Sequence, residues 1–249
     1  MKKAKKNKPG KQGNGDARKI LPSHGELTAA LKAVVKEQNG GLGFNMWAAV
    51  VNRDGEVCAI TFSGSDRGDQ WPGSRVISAQ KANTANAFSL PGFALSTANL
   101  FSVVQPGGSL FGLQHSNPVN IHAAFEGNPK YFGQSNDPMV GERIGGVNVF
   151  GGGLALYNRE KQLVGALGVS GDTSCTDHII AWKLRHRLKL DNVPAGVSPT
   201  KDDNIIHDLV KDQTGQTNST SGFGHPTCDD VATGIAKSLP TTHPTGSKS

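Results

Sequence analysis

Two runs of strand-forming residues, each turned back on itself, constrain this chain more than any other feature of its 249 residues. Met46-Trp47-Ala48-Ala49-Val50-Val51 leads through Asn52-Arg53-Asp54-Gly55 to Val57-Cys58-Ala59-Ile60-Thr61-Phe62. β-Rich residues on both sides of an Asp-Gly turn signal a hairpin. Leu154-Ala155-Leu156-Tyr157 leads in the same way through Asn158-Arg159-Glu160-Lys161 to Leu163-Val164-Gly165-Ala166-Leu167-Gly168-Val169. Each hairpin leaves through Ser-Gly, at Ser63-Gly64 and at Ser170-Gly171, toward an acidic residue near a helix start. Gly165, Gly168 and Gly171 lie largely within a strand. Their spacing therefore points to close backbone packing, or to a ligand pressed on the sheet, before nucleotide binding.

Around the hairpins, apolar residues recur at helical intervals. Ser23 and Glu26 have the spacing of a capping box, Leu27, Leu31, Val34 and Val35 follow, and Gly40-Gly41 ends the run. A second helix is predicted from Ser74 to Phe88, with Ile77, Lys81, Thr84 and Phe88 on one side and Ala79, Ala82, Asn83 and Asn86 on another. The small residues permit close approach to a sheet or a second helix. A short helix is expected over Ser96 to Val104, irregular or edge-strand structure over 107–120, and a long polar loop over 126–146. The last helix is read as Ser174 to Leu190. Ser174 and Asp177 would cap its start, and Lys183, Arg185, His186, Arg187 and Lys189 would favour its negative end.

The net charge of +6 suggests a nucleic-acid binder until it is located. Residues 1–19 carry eight basic side chains against Asp16 alone, so the other 230 residues hold 18 basic and 19 acidic groups. No specific nucleic-acid partner is expected for a part so nearly neutral, and the lysine-rich head reads as a solvated tail. No run of about 18 apolar residues occurs, so no membrane span is expected. The head is followed by Pro9-Gly10-Lys11-Gln12-Gly13 instead of the apolar stretch of an export signal. As written, the chain reads as cytoplasmic, or as periplasmic or secreted if a leader was removed. Three cysteines without a CxxC pair exclude a disulfide scaffold and covalent haem attachment. Beyond residue 192, Ser, Thr, Gly, Pro and Asp dominate. The expected organisation is a disordered lysine-rich tail over 1–19, a folded domain over 20–191, and an extended or disordered tail over 192–249. An apolar anchor at Ile205-Ile206 and Leu209-Val210 is compatible with that tail.

Phosphate-cradling glycine loops, G-x-S-x-G and H-E-x-x-H are absent, and no complete catalytic constellation is visible. The densest chemistry is Ser170-Gly171-Asp172-Thr173-Ser174-Cys175-Thr176-Asp177-His178. Cys175 and His178 stand at i and i+3, on one side of a first helical turn, where free backbone N–H groups lower a thiol pKa and attract an anion. The competing reading makes Asp177 a cap and His178 a surface residue. His115 and His122 flank Asn117-Pro118 in a loop, Met46 is either a soft axial ligand or core, and Arg75 and Lys81 either pair with carboxylates or line a solvated face.

Ser78-Ala79-Gln80-Lys81-Ala82-Asn83-Thr84-Ala85 through Phe88, Gly145-Gly146-Val147, Val164 through Gly171, and Asp177 through Ala181 fall in one order after the hairpin at Trp47 to Val51. That order resembles the GlcG/HbpS-like family, the haem-degrading domain family that includes the C-terminal domain of PduO proteins. The resemblance covers about residues 24 to 190. It implies an α+β fold, an antiparallel β-sheet flanked by helices on both faces in a profilin-like α-β-α sandwich. It also implies self-association from dimer to octamer, and binding of haem, with corrinoid as a more distant cofactor. The insertions at 110–119 and up to Gly145 lengthen the chain relative to compact members.

Haem needs an apolar slot, an axial donor and cations for its propionates. His178 or His115 would then ligate the iron, with Lys81, Arg75 or Arg185 near the propionates and Cys175 beside them. The alternative is an enzyme or sensor for a small organic acid, with the Ser170–Asp177 helix start as anion site.

Overall fold

The computed structural model describes residues 20–213, 215 and 217–246; the lysine-rich head lies outside them. The two hairpins form as their sequences require. β1 (Trp47–Asn52) pairs antiparallel with β2 (Val57–Phe62), and β3 (Gly153–Tyr157) pairs antiparallel with β4 (Leu163–Ser170). β1 also pairs antiparallel with β4, from Trp47 opposite Ser170 to Asn52 opposite Gly165. This joins the hairpins into one four-stranded sheet of order β2-β1-β4-β3.

Successive strand residues point to opposite faces, and both faces are buried. Trp47, Ala49, Val51 and Ala166 pack with Val76, Ala79, Ala82 and Ala85 of α2 (Gly73–Phe88). Ala48, Val50, Leu154, Leu156, Leu167 and Val169 pack with α1 (His24–Val35) and with a later helix, Ser174–Arg187. The result is the α+β sandwich with helices on both sides of an antiparallel sheet. α1 begins with the expected capping box: Glu26 N donates to Ser23 Oγ at 3.3 Å and Ser23 N to Glu26 Oε2 at 2.8 Å.

α2 lies close on β4 because the contact is made of small residues. At Gly168 an added Cβ would stand 2.5 Å from the backbone nitrogen of Ala82 and would overlap the carbonyl of Ser78. This is the close packing that the glycine spacing implied.

Several elements differ from the sequence reading. Residues 96–104 form two short 3₁₀ turns, Ala98–Leu100 and Ser102–Val104, instead of one helix. The insertion carries two short helices, α3 (Leu113–Ser116) and α4 (Ile121–Phe125). The polar loop beyond it is pinned by the buried side chains of Asp137, Met139 and Ile144. α5 (Ser174–Arg187) is capped by Thr173, whose side chain accepts from Thr176 N, and not by Ser174 or Asp177.

The largest difference is the segment beyond residue 192, read from composition as extended or disordered. It folds back over α5 through a small ribbon, β5 (Leu209–Lys211) with β6 (Thr217–Ser219), and ends in α6 (Asp230–Thr242). Its polar residues act as caps and partners: Asp229 caps α6, accepting from Ala232 N, and Asp203 is buried against Arg185. Its few apolar residues suffice because Ala232, Ala236 and Leu239 fall at helical spacing on one buried stripe. Ile205 and Ile206 are buried, as an anchor would be, whereas Val210 is exposed.

Gly168→Ala should lower stability by about 1–3 kcal/mol, the usual cost of overpacking, seen as a lower urea midpoint. Gly25→Ala, where an added Cβ meets nothing within 4 Å, should leave the midpoint unchanged or raise it. Equal behaviour of the two variants would contradict the packing described for α2 on β4.

Candidate functional site

The dense segment at the start of α5 converges with α2 and with the C-terminal segment on one buried cluster. Lys81 of α2 reaches Asp177 of α5 at 2.6 Å, and its ammonium also donates to Val169 O at 3.1 Å. The second oxygen of Asp177 accepts from Gly171 N at 3.1 Å and Asp172 N at 2.9 Å. Gly152 leaves the space for this pair: an added Cβ would come within 3.0 Å of Asp177 Cβ and 3.2 Å of Lys81 Nζ. Burial pushes the Asp177 carboxyl up to about 6 and the Lys81 amine down. Both move toward neutrality because desolvation outweighs their mutual attraction.

His178 is fully buried beside this pair. Its Nε2 lies 3.2 Å from Asn204 Oδ1 and 3.1 Å from Ile205 N, both on the C-terminal segment, whereas Nδ1 has no hydrogen-bond partner. Burial, followed by the positive charge of Arg185, lowers its pKa to about 3, so the ring is neutral. Two further imidazoles stand nearby. His225 is lowered to about 4, chiefly by burial, and His207 is lowered for the same leading reason. The His207 and His225 rings are 6.3 Å apart, and His207 Nε2 is buried without a partner.

His225 also packs against Phe101 at 5.1 Å between ring centroids. Phe101 belongs to the wall of a cavity of about 810 Å³, bounded on one side by Phe101, Val103 and Pro106 and on the other by Leu209, Phe223 and Pro226. No lysine or arginine is among the described residues lining it. One wall thus comes from the C-terminal segment, held at one end by Asp203 on Arg185 and at the other by a disulfide between Cys228 and Cys175.

The residues singled out from sequence do not form one haem site. Cys175 is disulfide-bonded, which removes the thiolate expected at this helix start. Arg75 is bound bidentately by Asp137, donates to Ala124 O, and lies 3.6 Å over the Phe132 ring. Arg185 is bound bidentately by Asp203, at 2.7 Å for each contact. With Lys81 on Asp177, all three cations proposed for propionates are buried and already paired. His115 is exposed on α3 and makes no hydrogen bond or ring contact with this cluster among the described residues. Nor do three metal-ligating side chains gather anywhere among the described residues.

The helix start is also filled as an anion site. Cys175 N points at Cys228 Sγ at 3.3 Å, Thr176 N is taken by Thr173 Oγ1, and Asp172 accepts from Leu42 N and Phe44 N. His207, His225, Asn204 and Cys228 were missed because composition set their segment aside. The signal was three histidines, His207, His225 and His243, and one cysteine in a stretch that also carries the Ile205-Ile206 anchor.

Residues 24–184 match the family model described as "Haem degrading protein HbpS-like", and the chain belongs to that family. The fold is similar to the crystal structure of the Klebsiella pneumoniae protein ORFY, of family DUF336. That likeness has 24% identity and a TM-score of 0.45, covering 75% of this chain and 97% of that one. It is also similar to the crystal structure of a PduOC:heme complex, with 24% identity and a TM-score of 0.46, covering 67% of this chain and 94% of that one. No protein of curated function matches the sequence.

Two predictions follow from this geometry. The disulfide closes a loop of 53 residues, so its loss should cost about 4 kcal/mol on chain-entropy grounds. A dithiol reductant and Cys228→Ser should each lower the unfolding midpoint, and the reductant should do nothing more to the variant. An unchanged midpoint on reduction would contradict the cross-link. The second concerns pH. A histidine lowered from 6.5 to about 3 binds its proton in the unfolded chain first, so it adds stability above pH 6.5 that is lost as pH falls toward 3. Replacing His178 with Gln should flatten that acid slope by up to about 1.4 kcal/mol per pH unit, measured by urea unfolding between pH 4 and 7. An unaltered slope would show that His178 is not held neutral by the fold.

Proposed function

We propose that this chain binds haem, and that the 810 Å³ cavity is its seat. The observation that carries the reading is the pairing of a mainly apolar cavity of this size with His225 packed behind Phe101 of its wall and His207, whose buried Nε2 has no partner, next to His225. The volume lies within the range of cofactor and ligand pockets, about 300–1,000 Å³. Membership of a family described as haem-degrading supplies the ligand class.

His225 and His207 are the donors best placed to hold the iron, because Pro226 and Leu209, one and two residues along the chain from them, line the cavity. Phe101, Val103, Pro106 and Phe223 would cover the ring and exclude water. Haem, when bound, supplies an iron open to redox and ligand exchange. The protein's own part is to keep the imidazoles unprotonated, with a lone pair free to ligate, by burying them. With no lysine or arginine in the wall, propionates would meet hydroxyl and amide donors such as Gln105 and Asn218. This favours reversible haem handling over permanent retention. Binding, and not turnover, is what the cavity supports.

The disulfide fits an oxidising compartment, periplasmic or secreted, better than the cytoplasm. No helix among the described residues is long and apolar enough to cross a membrane. Self-association from dimer to octamer, implied by the family likeness, would run through surfaces other than the apolar side of α5 that α6 covers. Light scattering on the purified protein measures it.

Haemin titration should give a saturable shift of the Soret band. His225→Ala or His207→Ala should change the bound spectrum or weaken binding by about tenfold or more, at least the loss that follows removal of a ligand's supporting partner, and His115→Ala should leave both unchanged. Absence of a saturable shift would sink the haem reading. A response confined to His115→Ala would move the seat elsewhere.

A further inference from the structure

Trp47, the first residue of β1, is 1% exposed and stacks on Phe62 with ring centroids 4.8 Å apart, yet its indole N–H has no hydrogen-bond partner. A buried indole donor is ordinarily satisfied. Trp47 lines a second cavity, of about 340 Å³, whose apolar walls are Pro72, Val76, Phe125, Pro129 and Phe132. Arg67 lines the same cavity, is exposed, and makes no hydrogen bond or ion pair with any described residue. Arg75 also borders it, but its charge is already neutralised by Asp137. Asp66, the remaining charged group of the lining, accepts from Gly68 N at 2.7 Å.

The cavity therefore combines apolar walls, the buried Trp47 ring among them, with one unmet guanidinium, that of Arg67. A guanidinium calls for a charged acceptor with two oxygens. The volume lies near the lower end for small-molecule sites, about 300–1,000 Å³. We propose that this cavity binds a small monocarboxylate with an aromatic or branched apolar body. The carboxylate accepts from Arg67, and the body lies among Trp47, Val76, Phe125 and Phe132. Asp66 repels a second carboxylate, so dicarboxylates are disfavoured. The site is separate from the proposed haem seat and stands or falls independently of it.

The test uses benzoate on the haem-free protein, by calorimetry and by the three indole N–H resonances of its three tryptophans. Saturable binding is expected, with movement of the resonance that Trp47→Phe removes. Arg67→Ala changes only an exposed side chain and should weaken binding on the order of tenfold, as loss of a charge-assisted hydrogen bond does. Phthalate, and benzyl alcohol with the same ring and no charge, should bind more weakly than benzoate. The proposal is overturned by absence of saturable binding, by equal affinity in Arg67→Ala, by benzyl alcohol binding as tightly, or by movement of the other indoles alone.

Discussion

The architecture depends on a buried ion pair that joins its two helical layers. Lys81 rises from α2 on one face of the sheet, and Asp177 belongs to α5 on the other. They meet beside Val169 O, where Gly152 leaves room for both. Such a pair adds little net stability, because desolvation consumes most of the attraction, but removing one partner typically costs about 3–5 kcal/mol. Its effect is to fix register. With Lys81 held, α2 can sit on β4 only where Gly168 admits it. With Asp177 held, the turn from β4 into α5 is set by its bonds to Gly171 N and Asp172 N.

The C-terminal segment extends the same logic to α5. Asp203 meets Arg185 in a second buried bidentate pair, Asn204 and Ile205 N meet His178, and Cys228 is bonded to Cys175. Trp182 adds a hydrogen bond to His243 O at 2.9 Å beyond the end of α6. The contacts at Cys175 and His178 cover the first turn of α5 and take the partners that a free helix start would offer an anion or a metal, and those at Trp182 and Arg185 hold its later turns. A thiol and an imidazole at i and i+3 thus become a cross-link and a buried, neutral ring.

The hairpins, the capping box of α1 and the close contact at Gly168 were legible because each is local: turn chemistry, capping distance and glycine spacing all act within a few residues. The pairing of cations was not. Lys81 and Asp177 are 96 residues apart, Arg75 and Asp137 62, and Arg185 and Asp203 18, and nothing in periodicity says which carboxylate each basic side chain will meet. The C-terminal segment was hidden for a related reason. Composition measures how much apolar surface a stretch offers, whereas Asp203, Asn204, Cys228 and Asp229 hold this one through specific bonds to partners elsewhere. The cavity wall they carry could not be anticipated while that stretch was read as a tail.

The distribution of unpaired polar groups separates the two cavities chemically. Every buried basic side chain on the helices beside the sheet is matched by a carboxylate or by carbonyl and amide oxygens, including Lys183 with Gln38 O and Asn39 Oδ1. The unmatched buried atoms near α5 are the imidazole nitrogens His178 Nδ1 and His207 Nε2, with Arg185 Nε and Asp191 Oδ1 on groups otherwise paired with Asp203 and His186, and on the other face of the sheet a donor, Trp47 Nε1. Neutral imidazoles beside an apolar void suit a flat metal complex better than an anion. A free guanidinium at the mouth of an apolar cavity suits an anion and offers a metal nothing. One fold therefore presents two different chemistries, because the ion pairs that set its register also neutralise the charges that would have blurred them.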